Sequence, residues 1–517
     1  LVMKRIAFFD IELNPQTETI EDIGCMRDDG AVFHKKDIPG FFEFIKDTEF
    51  ICGHNILAHD INWLQKHTSE KDWGKERAID TLLFSPLLFP KKPYHSLLKD
   101  DKILSDERNN PVNDSKKAKE LFDEEVSAFN ALPAELKLLY YNLLKGRPGF
   151  NSFFVYIGYN TVAEEEGITR IIKRFFQNQV CESAAITQLI QTYPVELAYA
   201  LSLIHCNDRY SITPPWVLKK YPKVEQVLYL LRSNPCITGC SYCEQAFNPY
   251  RVLKSYFGYD GFRKYDDEPL QEKAVLSAVN NNSLLAVFPT GGGKSITFQV
   301  PALMAGENAK ALTVVISPLQ SLMKDQVDNL EKKGITDAVT INGLLDPIER
   351  SNAIQRVEDG SAFMLYISPE SLRSVTIQRL LLKRKIARFV IDEAHCFSSW
   401  GQDFRVDYLY IGDFIKQLQE LKGPDTRIPV SCFTATAKQK VIEDIQQYFR
   451  EKLGLNLTLY RATAGRKNLQ YEVFKRDTDE EKYAQLRDLI ESRNCPTIVY
   501  VSRTKRAHKL ATRLTED

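Results

Sequence analysis

The sequence predicts an α/β protein organised around a parallel sheet, and three observations lead to this class. Between residues 251 and 460, short apolar segments such as "SLLAVFPT", "KALTVVISP" and "ARFVIDEAH" alternate with helical segments, a rhythm typical of parallel strands covered by helices. Residues 1–122 mix an apolar strand, "RIAFFDIEL", with helical segments, and residues 123–250 have mostly helical periodicity. Residues 461–517 begin another strand–helix unit. We therefore expect a mixed α/β domain, a helical connector, a parallel-sheet domain and the beginning of a second sheet domain.

The composition is that of a soluble globular protein. The 517 residues are 44% hydrophobic and 26% charged, and 68 Lys and Arg residues balance 68 Asp and Glu residues. No run reaches the ~18 apolar residues that a membrane helix needs, and no signal peptide opens the chain. Zero net charge excludes nucleic-acid binding through bulk charge, but it does not exclude a local basic groove. We expect a cytoplasmic protein.

The segment "AVFPTGGGKSITFQ" predicts an ATP site, because it places a glycine-rich loop between a strand and a helix. Consecutive glycines let backbone N–H groups surround phosphate oxygens, while a lysine contacts the β- and γ-phosphates and a serine hydroxyl ligates Mg²⁺. The residues in question are Thr290, Gly291, Gly292, Gly293, Lys294 and Ser295. Phe288 stands where the usual phosphate-loop pattern has glycine.

A second segment, "FVIDEAHCFSSWGQDFR", predicts the catalytic acids of the same site. Its strand ends in Asp392 and Glu393. One carboxylate at such a strand end ligates Mg²⁺, and the other orients and deprotonates the attacking water. We assign the first role to Asp392 and the second to Glu393.

Taken in order, these segments resemble the RecQ-family DNA helicases of superfamily two. The resemblance covers about residues 256–517 and rests on "FGYDGFRKY", "PTGGGKSITFQVPAL", "VVISPLQSLMKDQVDNL", "YISPESL", "DEAHCFSSWGQDFRVDYLYIG", "FTATA", "RKNLQYEV" and "IVYVSRT". It implies RecA-like domains and an ATP-driven 3′–5′ helicase that binds single-stranded and duplex DNA.

The resemblance also implies roles for individual residues. In the family a glutamine upstream of the glycine loop reads adenine, which implies Gln271, although the spacing is longer here. Gln402 stands where the family has histidine. The residues implied to sense single-stranded DNA and couple it to hydrolysis are Trp400, Phe404, Arg405, Thr434 and Thr436. Stacking of bases on aromatic and guanidinium planes gives such contacts a physical basis.

The second ATPase lobe of this family carries an arginine finger, which raises the hydrolysis rate by orders of magnitude. The sequence extends one strand and one helix into that lobe. We therefore expect residues 1–517 alone to hydrolyse ATP poorly and to be part of a longer helicase.

Four acids in three N-terminal segments predict a two-metal site. Asp10 and Glu12 lie on one side of a strand end, Asp60 follows "GHNILAH", and Asp114 begins a helix. Such carboxylates hold two Mg²⁺ or Mn²⁺ ions for phosphodiester hydrolysis. The three segments resemble, in order, DEDD-type 3′–5′ exonucleases with an RNase H-like fold.

The general base of that family, His or Tyr, is replaced here. Asn109 and Asn110 occupy its positions, and asparagine does not accept a proton at neutral pH. Three alternatives remain open: His95 is the base, metal-bound hydroxide suffices, or the nuclease is slow or inactive. We expect a weak or substrate-gated exonuclease.

The run "NPCITGCSYC", with Cys236, Cys240 and Cys243, predicts a metal site. Its spacing is also that of a radical-SAM loop, but no barrel strands follow it. With Cys206 as fourth ligand, four thiolates would form a closed zinc site without catalytic chemistry. The alternatives are a [4Fe–4S] cluster and uncoordinated thiols, with His205 a less favoured ligand.

The leading hypothesis is an ATP-dependent DNA helicase fused to a metal-dependent 3′–5′ exonuclease. We expect it to act in bacterial DNA repair, recombination or phage defence, in association with the nucleoid. The alternative is an ATP-switched DNA-binding sensor or scaffold whose nuclease domain is silent.

Overall fold

The computed structural model describes residues 5–516 except for short internal gaps. The gaps are residues 15, 18, 71–72, 93–94, 96–109, 207–216, 218–219, 238, 344, 399–404, 424–425, 436–437 and 463–469. The chain forms two compact units, Leu1–Thr463 and Ala464–Asp517. Within the described residues, no helix is both long and apolar enough to cross a bilayer.

A five-stranded mixed sheet forms the N-terminal part of the first unit. Its strands are β1 (Ile6–Asn14), β2 (Thr19–Arg27), β3 (Val32–His34), β4 (Phe50–Gly53) and β5 (Ala78–Asp80), in the order β3-β2-β1-β4-β5. β1 pairs antiparallel with β2, and parallel with β4, which in turn pairs parallel with β5.

Helices cover both faces of this sheet. Successive side chains of β1 point to opposite faces, so each face presents its own apolar residues to a helix. Phe9 packs with α1 (Ile38–Phe44) and α2 (Asp60–Leu64), whereas Phe8 packs with α3 (Thr81–Leu88) and α4 (Pro111–Ala131).

The helical connector shares one core with the second face. Its helices are α5 (Ala134–Leu144), α6 (Asn151–Ile157), α7 (Glu165–Phe175), α8 (Ile186–Thr192), α9 (Pro194–Cys206), α10 (Val224–Arg232), α11 (Ser241–Ala246) and α12 (Pro249–Phe257). The ring of Phe122 on α4 lies 5.6 Å from that of Phe8 and 6.0 Å from that of Phe153 on α6. The boundary expected between residues 122 and 123 therefore falls inside α4, within a continuous core.

The rest of the first unit is built on a seven-stranded sheet in which every neighbouring pair is parallel. Its strands are β6 (Leu284–Val287), β7 (Leu312–Ile316), β8 (Ala338–Ile341), β9 (Met364–Ile367), β10 (Ile386–Ile391), β11 (Val430–Thr434) and β12 (Thr458–Arg461), in the order β12-β6-β11-β10-β7-β9-β8. The accompanying helices are α13 (Leu270–Val279), α14 (Lys294–Ala309), α15 (Gln320–Glu331), α16 (Pro347–Glu358), α17 (Val375–Lys383), α18 (Tyr408–Lys422) and α19 (Gln439–Leu453).

The central strands of this sheet are buried on both faces. Consecutive residues of β6, Leu284 and Leu285, belong to separate hydrophobic clusters on the two sides. Continuous apolar strands of this kind are what a helix-covered parallel sheet requires. The expected α/β class with a parallel-sheet domain is confirmed.

A buried ion pair joins the connector to this sheet domain. The Glu225 Oε1 atom on α10 accepts a hydrogen bond from Arg384 Nε at 2.8 Å, and Oε2 accepts one from the Lys385 N–H at 2.6 Å. Arg384 also donates to the carbonyls of Val357, Ala362 and Lys310. The guanidinium therefore ties α10 to the turn between α17 and β10.

The second unit contains the helices α20 (Asp479–Arg493) and α21 (Thr504–Glu516). Arg513 on α21 pairs with Glu480 and covers the ring of Tyr483 on α20. The strand expected over "PTIVYVSRT" has no ladder within the described residues, and Ile498 and Tyr500 are 79% and 90% exposed. An extended apolar segment needs a neighbouring strand before it becomes part of a sheet.

Candidate functional sites

The glycine-rich loop between β6 and α14 adopts a backbone that requires glycine. Gly291 and Gly293 have φ values of 72° and 86°, in the left-handed region that side chains with a Cβ disfavour. A Cβ on Gly293 would lie 2.5 Å from Gln271 Nε2. The loop therefore brings its backbone close to the residues around it, as phosphate cradles do.

The first turn of α13 and the segment before it hold the loop from outside. Gln271 Nε2 donates to the Gly293 carbonyl at 2.9 Å, and Gln271 Oε1 accepts from the Arg263 N–H at 2.7 Å. Arg263 Nη1 donates to the Gly291 carbonyl at 2.6 Å, and the Tyr265 hydroxyl donates to the Gly292 carbonyl. Gln271 is the expected adenine reader. In this conformation both its Nε2 and its Oε1 atom are hydrogen-bonded to protein backbone.

Phe288, which replaces the usual glycine of the loop pattern, has a structural role. Its ring stacks on that of Tyr265 with centroids 4.8 Å apart and planes 24° apart. Neither Arg263 nor Tyr265 was predicted from the sequence, although both lie in the segment "FGYDGFRKY". Their aromatic and cationic character within that segment was the available signal.

The predicted catalytic acids lie beside the loop lysine. Lys294 Nζ is 3.7 Å from Glu393 Oε1, and His395 Nδ1 is 3.3 Å from Glu393 Oε2. Burial alone would raise the pKa of Glu393, but the His395 hydrogen bond and the Lys294 charge outweigh it, so this pKa is lowered. Glu393 is therefore a carboxylate at neutral pH, as a general base must be.

Asp392 differs from its neighbour, since burial and the Glu393 charge raise its pKa to about 6. Ser295 Oγ accepts a hydrogen bond from Gln326 Nε2 at 2.9 Å. A hydroxyl and a carboxylate are oxygen donors of the type that Mg²⁺ takes. Ser295 and Asp392 thus fit the predicted metal ligation.

The residues expected to couple DNA to hydrolysis are only partly described. Arg405 Nη1 donates to the Pro318 carbonyl at 3.0 Å. Thr434, fully buried at the end of β11, has its Oγ1 atom 3.1 Å from His395 Nδ1. Trp400, Phe404 and Thr436 lie outside the described residues.

Three of the four N-terminal acids come together. Asp10, Glu12 and Asp114 offer carboxylate oxygens that all lie within 4.8 Å of one another. Gly24 on β2 pairs with Asp10 across the ladder, and a Cβ on Gly24 would collide with the Pro111 backbone. The glycine therefore lets the first turn of α4, which carries Asp114, approach the sheet beside Asp10.

The fourth acid, Asp60, lies apart from this group. Its Oδ1 atom accepts the Ile11 N–H at 2.9 Å, its Oδ2 atom lies 3.5 Å from His59 Nδ1, and burial raises its pKa. Ile11 stands between Asp10 and Glu12 in the strand, so Asp60 borders the group without joining it. Its role as a metal ligand stays a prediction.

Of the residues considered for the general base, the two that the structure describes, Asn110 and His95, are not strong bases. Asn110 Oδ1 accepts the Val112 N–H at 3.0 Å and caps α4, while Asn109 lies outside the described residues. Burial, with Lys92 adding to it, lowers the pKa of His95 to about 4, and His95 Nδ1 is hydrogen-bonded to Ser85 Oγ at 2.8 Å. A pKa this low makes His95 a weak base.

Four cysteines form the second group with metal-ligand geometry. The sulfur atoms of Cys181, Cys236, Cys240 and Cys243 lie within 4.8 Å of one another. The Cys240 N–H donates to Cys236 Sγ at 3.3 Å and the Cys236 N–H to Cys243 Sγ at 3.5 Å. Four thiols fit the closed tetrahedral set of structural zinc, and N–H donors to sulfur stabilise ligating thiolates.

The structure places Cys181, and not the expected Cys206, with the other three cysteines. Cys206 ends α9 and lines a cavity with Leu87 and Tyr140 instead. Cys181 lies between α7 and α8, where its N–H donates to the Leu231 carbonyl at 2.9 Å. No local spacing connects Cys181 with the other three, because folding of the connector brings them together.

The parallel-sheet part of the chain is similar to known helicases. Residues 268–445 match the DEAD/DEAH box helicase family. The ATP-dependent DNA helicase RecQ of Haemophilus influenzae is 35% identical over 264 residues, which are 50% of this chain and 38% of the relative. RecQ of Bacillus subtilis is 36% identical over 267 residues, which are 51% of this chain and 41% of the relative.

The chain thus spans less than half the length of these two relatives. Among solved structures, the crystal structure of the DUF1998 helicase MrfA aligns with 52% of this chain and 40% of its own, at 18% identity and a TM-score of 0.40.

Proposed function

We propose that this chain, which contains a DEAD/DEAH box helicase domain, is part of an ATP-dependent 3′–5′ DNA helicase of the RecQ type. The observation that carries the proposal is the arrangement of Lys294 beside Glu393, next to a glycine loop held by Gln271. These groups meet where the parallel strands end, which is where open α/β sheets bind ligands.

Each residue of the site has a distinct task in ATP hydrolysis. The loop N–H groups and Lys294 hold the phosphates, and Glu393 takes the proton of the attacking water. Ser295 and Asp392 would hold Mg²⁺, which neutralises charge on the phosphate oxygens. His395 links Glu393 to Thr434 at the end of β11. A change in the position of Glu393 would therefore reach this neighbouring strand.

The test is DNA-stimulated ATP hydrolysis by the full-length protein. Lys294→Ala should abolish it, because the phosphates lose their cation. Lys273→Ala, which removes an exposed lysine on α13, is the matched control and should hydrolyse ATP like wild type. An unchanged rate in Lys294→Ala would refute the site.

We also infer a metal-dependent 3′–5′ exonuclease at Asp10, Glu12 and Asp114. The support is the proximity of the three carboxylates, together with the glycine contact that brings α4 to the sheet. The three acids would hold Mg²⁺ or Mn²⁺, whose chemistry is to activate water against a phosphodiester. Since Asn110 caps a helix, the reaction would be slow.

The test is Mn²⁺-dependent loss of label from 3′-labelled single-stranded DNA. Wild type should release label and Asp10→Asn should not, whereas Glu120→Gln, an exposed change on α4, should behave like wild type. Label retained by wild type would remove the nuclease from the proposal.

The same outcome would favour the second candidate, an ATP-switched DNA sensor or scaffold with a silent nuclease. Asn110 at the base position is the observation that favours it. In that case ATP should change DNA affinity without strand separation. Repair, recombination and phage defence are the processes in which we place either activity.

The four-cysteine group is proposed to hold zinc, with a [4Fe–4S] cluster as the alternative. Cys181 comes from the connector helices, and the other three precede α12, which packs on the helicase domain. A metal there would fix how the connector meets that domain. Metal analysis of purified protein distinguishes zinc from iron.

A further inference from the structure

We propose that the cavity between the helical connector and the parallel-sheet domain is a second phosphate-binding site, separate from the ATP site. The cavity has a volume of about 320 Å³. Lys223 at the start of α10, Lys385 at the start of β10 and Lys422 at the end of α18 line it, beside Glu225. We call it the lysine cavity.

Positive charge in the lysine cavity exceeds negative charge. Both carboxylate oxygens of Glu225 already accept hydrogen bonds, one from Arg384 and one from the Lys385 N–H. Lys383, also in the lining, pairs with Glu358. Among the described residues, no ion pair joins the ammonium groups of Lys223, Lys385 or Lys422 to a carboxylate. An anion would supply the missing charge.

The pKa values of two of these lysines are lowered. Burial, with the nearby Lys223 charge adding to it and the Glu225 charge partly opposing it, lowers the pKa of Lys385 to about 8. Burial also lowers the pKa of Lys422 to about 8; Glu225 partly opposes this, and Lys385, Arg384 and Lys223 add to the lowering. A bound phosphate would restore the charged form of both amines, because an opposite charge nearby favours it.

The geometry leaves hydrogen-bond capacity for such a ligand. Lys422 Nζ donates to the carbonyls of Leu382 at 2.9 Å and Arg384 at 2.6 Å, and an ammonium has a third donor. Lys385 Nζ lies 4.3 Å from the centroid of the Tyr229 ring. Lysines from three separate elements therefore line one space, which suits a multiply charged oxyanion.

The lysine cavity lies at the opposite edge of the sheet from the ATP site. β10 begins at Ile386 beside the cavity, and its other end, Ile391, precedes Asp392. Six residues of strand separate the two places by roughly 20 Å at ~3.3 Å per residue. A phosphate here would bridge α10 and the sheet domain without touching the hydrolysed ATP.

The ligand is a phosphate group, from a free compound or from a DNA backbone, and protection of the amines from acetylation tests it. The full chain is treated with limiting acetic anhydride at pH 8 and its peptides are quantified by mass spectrometry. An amine of pKa about 8 is half deprotonated at that pH, against ~0.4% for an ordinary lysine. Lys385 and Lys422 should therefore react fast, and pyrophosphate should slow them about fivefold for the first pKa unit regained and about tenfold for the next.

The controls separate this site from the ATP site. Lys416, exposed on α18, should react equally with and without pyrophosphate, and Lys294 reports the glycine loop independently. Lys223→Gln should weaken protection of Lys385 and Lys422 but not of Lys294. Protection by a single-stranded oligonucleotide in place of pyrophosphate would identify a DNA backbone as the phosphate source. Slowing matched by NaCl of equal ionic strength, or protection confined to Lys294, would overturn the proposal.

Discussion

Replacing Glu225 with alanine should loosen the attachment of α10 to the sheet domain by about 3–5 kcal/mol, the usual cost of leaving one partner of a buried pair uncompensated. The Arg384 side chain is 0% exposed and that of Glu225 is 5% exposed. Without the carboxylate, the guanidinium keeps three carbonyl acceptors but loses its counter-charge. The Lys385 N–H loses its acceptor as well.

Native-state hydrogen exchange of the full chain measures this loss directly. The Lys385 amide and the amides of α10 exchange only when the junction opens, and local openings have their own free energies. At about 1.36 kcal/mol per tenfold, a loss of about 3–5 kcal/mol accelerates exchange by roughly 150- to 5000-fold. Glu225→Gln, which keeps an acceptor but not the charge, should fall in between.

The matched control is Glu244→Ala, an exposed position on the neighbouring helix α11, which should leave exchange in α10 unchanged. An acceleration of less than tenfold in Glu225→Ala would refute the reasoning, because it would show that the Arg384 charge is compensated in another way.

Three further predictions concern single positions. Cys181→Ser should remove bound zinc, measured by metal analysis, whereas Cys206→Ser should retain it. Gly293→Ala should weaken nucleotide binding by about 1–3 kcal/mol, or roughly 5- to 150-fold in Kd by fluorescent-ATP titration, because its Cβ meets Gln271 and its φ is 86°. Glu125 has no hydrogen-bond partner among the described residues, and burial raises its pKa well above the usual value. Since the unfolded pKa is about 4.3, wild type should lose stability as pH rises above that value, and Glu125→Gln should melt higher at pH 8.

Each of these has a contrary outcome. Zinc retained by Cys181→Ser would place the fourth ligand elsewhere. An unchanged Kd in Gly293→Ala would mean that the loop relaxes around the methyl group. Parallel melting curves for wild type and Glu125→Gln between pH 5 and 9 would show that the carboxyl finds a partner.

Local patterns in the sequence were sufficient to predict a site wherever residues close together in the sequence build it. The glycine loop, Lys294 and the strand-end acids lie in two short segments whose strand–loop–helix context fixes their geometry. Asp10, Glu12 and Asp114 were also chosen from sequence, and the structure brings them together. What sequence could not show is why they meet: Gly24, on a different strand, makes the room.

Interactions between distant segments were not predictable in this way. Cys181 carries no spacing signal, and Cys206 was preferred because a helix end near three cysteines is a reasonable ligand position. Its helix instead directs it towards Tyr140. Similarly, the boundary placed at residue 122 followed a change in periodicity, whereas the aromatic core continues across it.

That continuous core also determines where the chain tolerates cleavage or recombination. Phe129 on α4 contacts Phe153 and Phe154 on α6 with ring centroids 5.7 Å apart in both pairs. At ~150–250 Å² per ring and about 25 cal/mol per Å², exposing these three rings would cost roughly 11–19 kcal/mol. Because that approaches or exceeds the ~5–15 kcal/mol stability of a whole domain, a protease or a genetic crossover that separates the N-terminal sheet from its connector would yield unfolded halves. We therefore expect the two segments to fold and unfold as one unit.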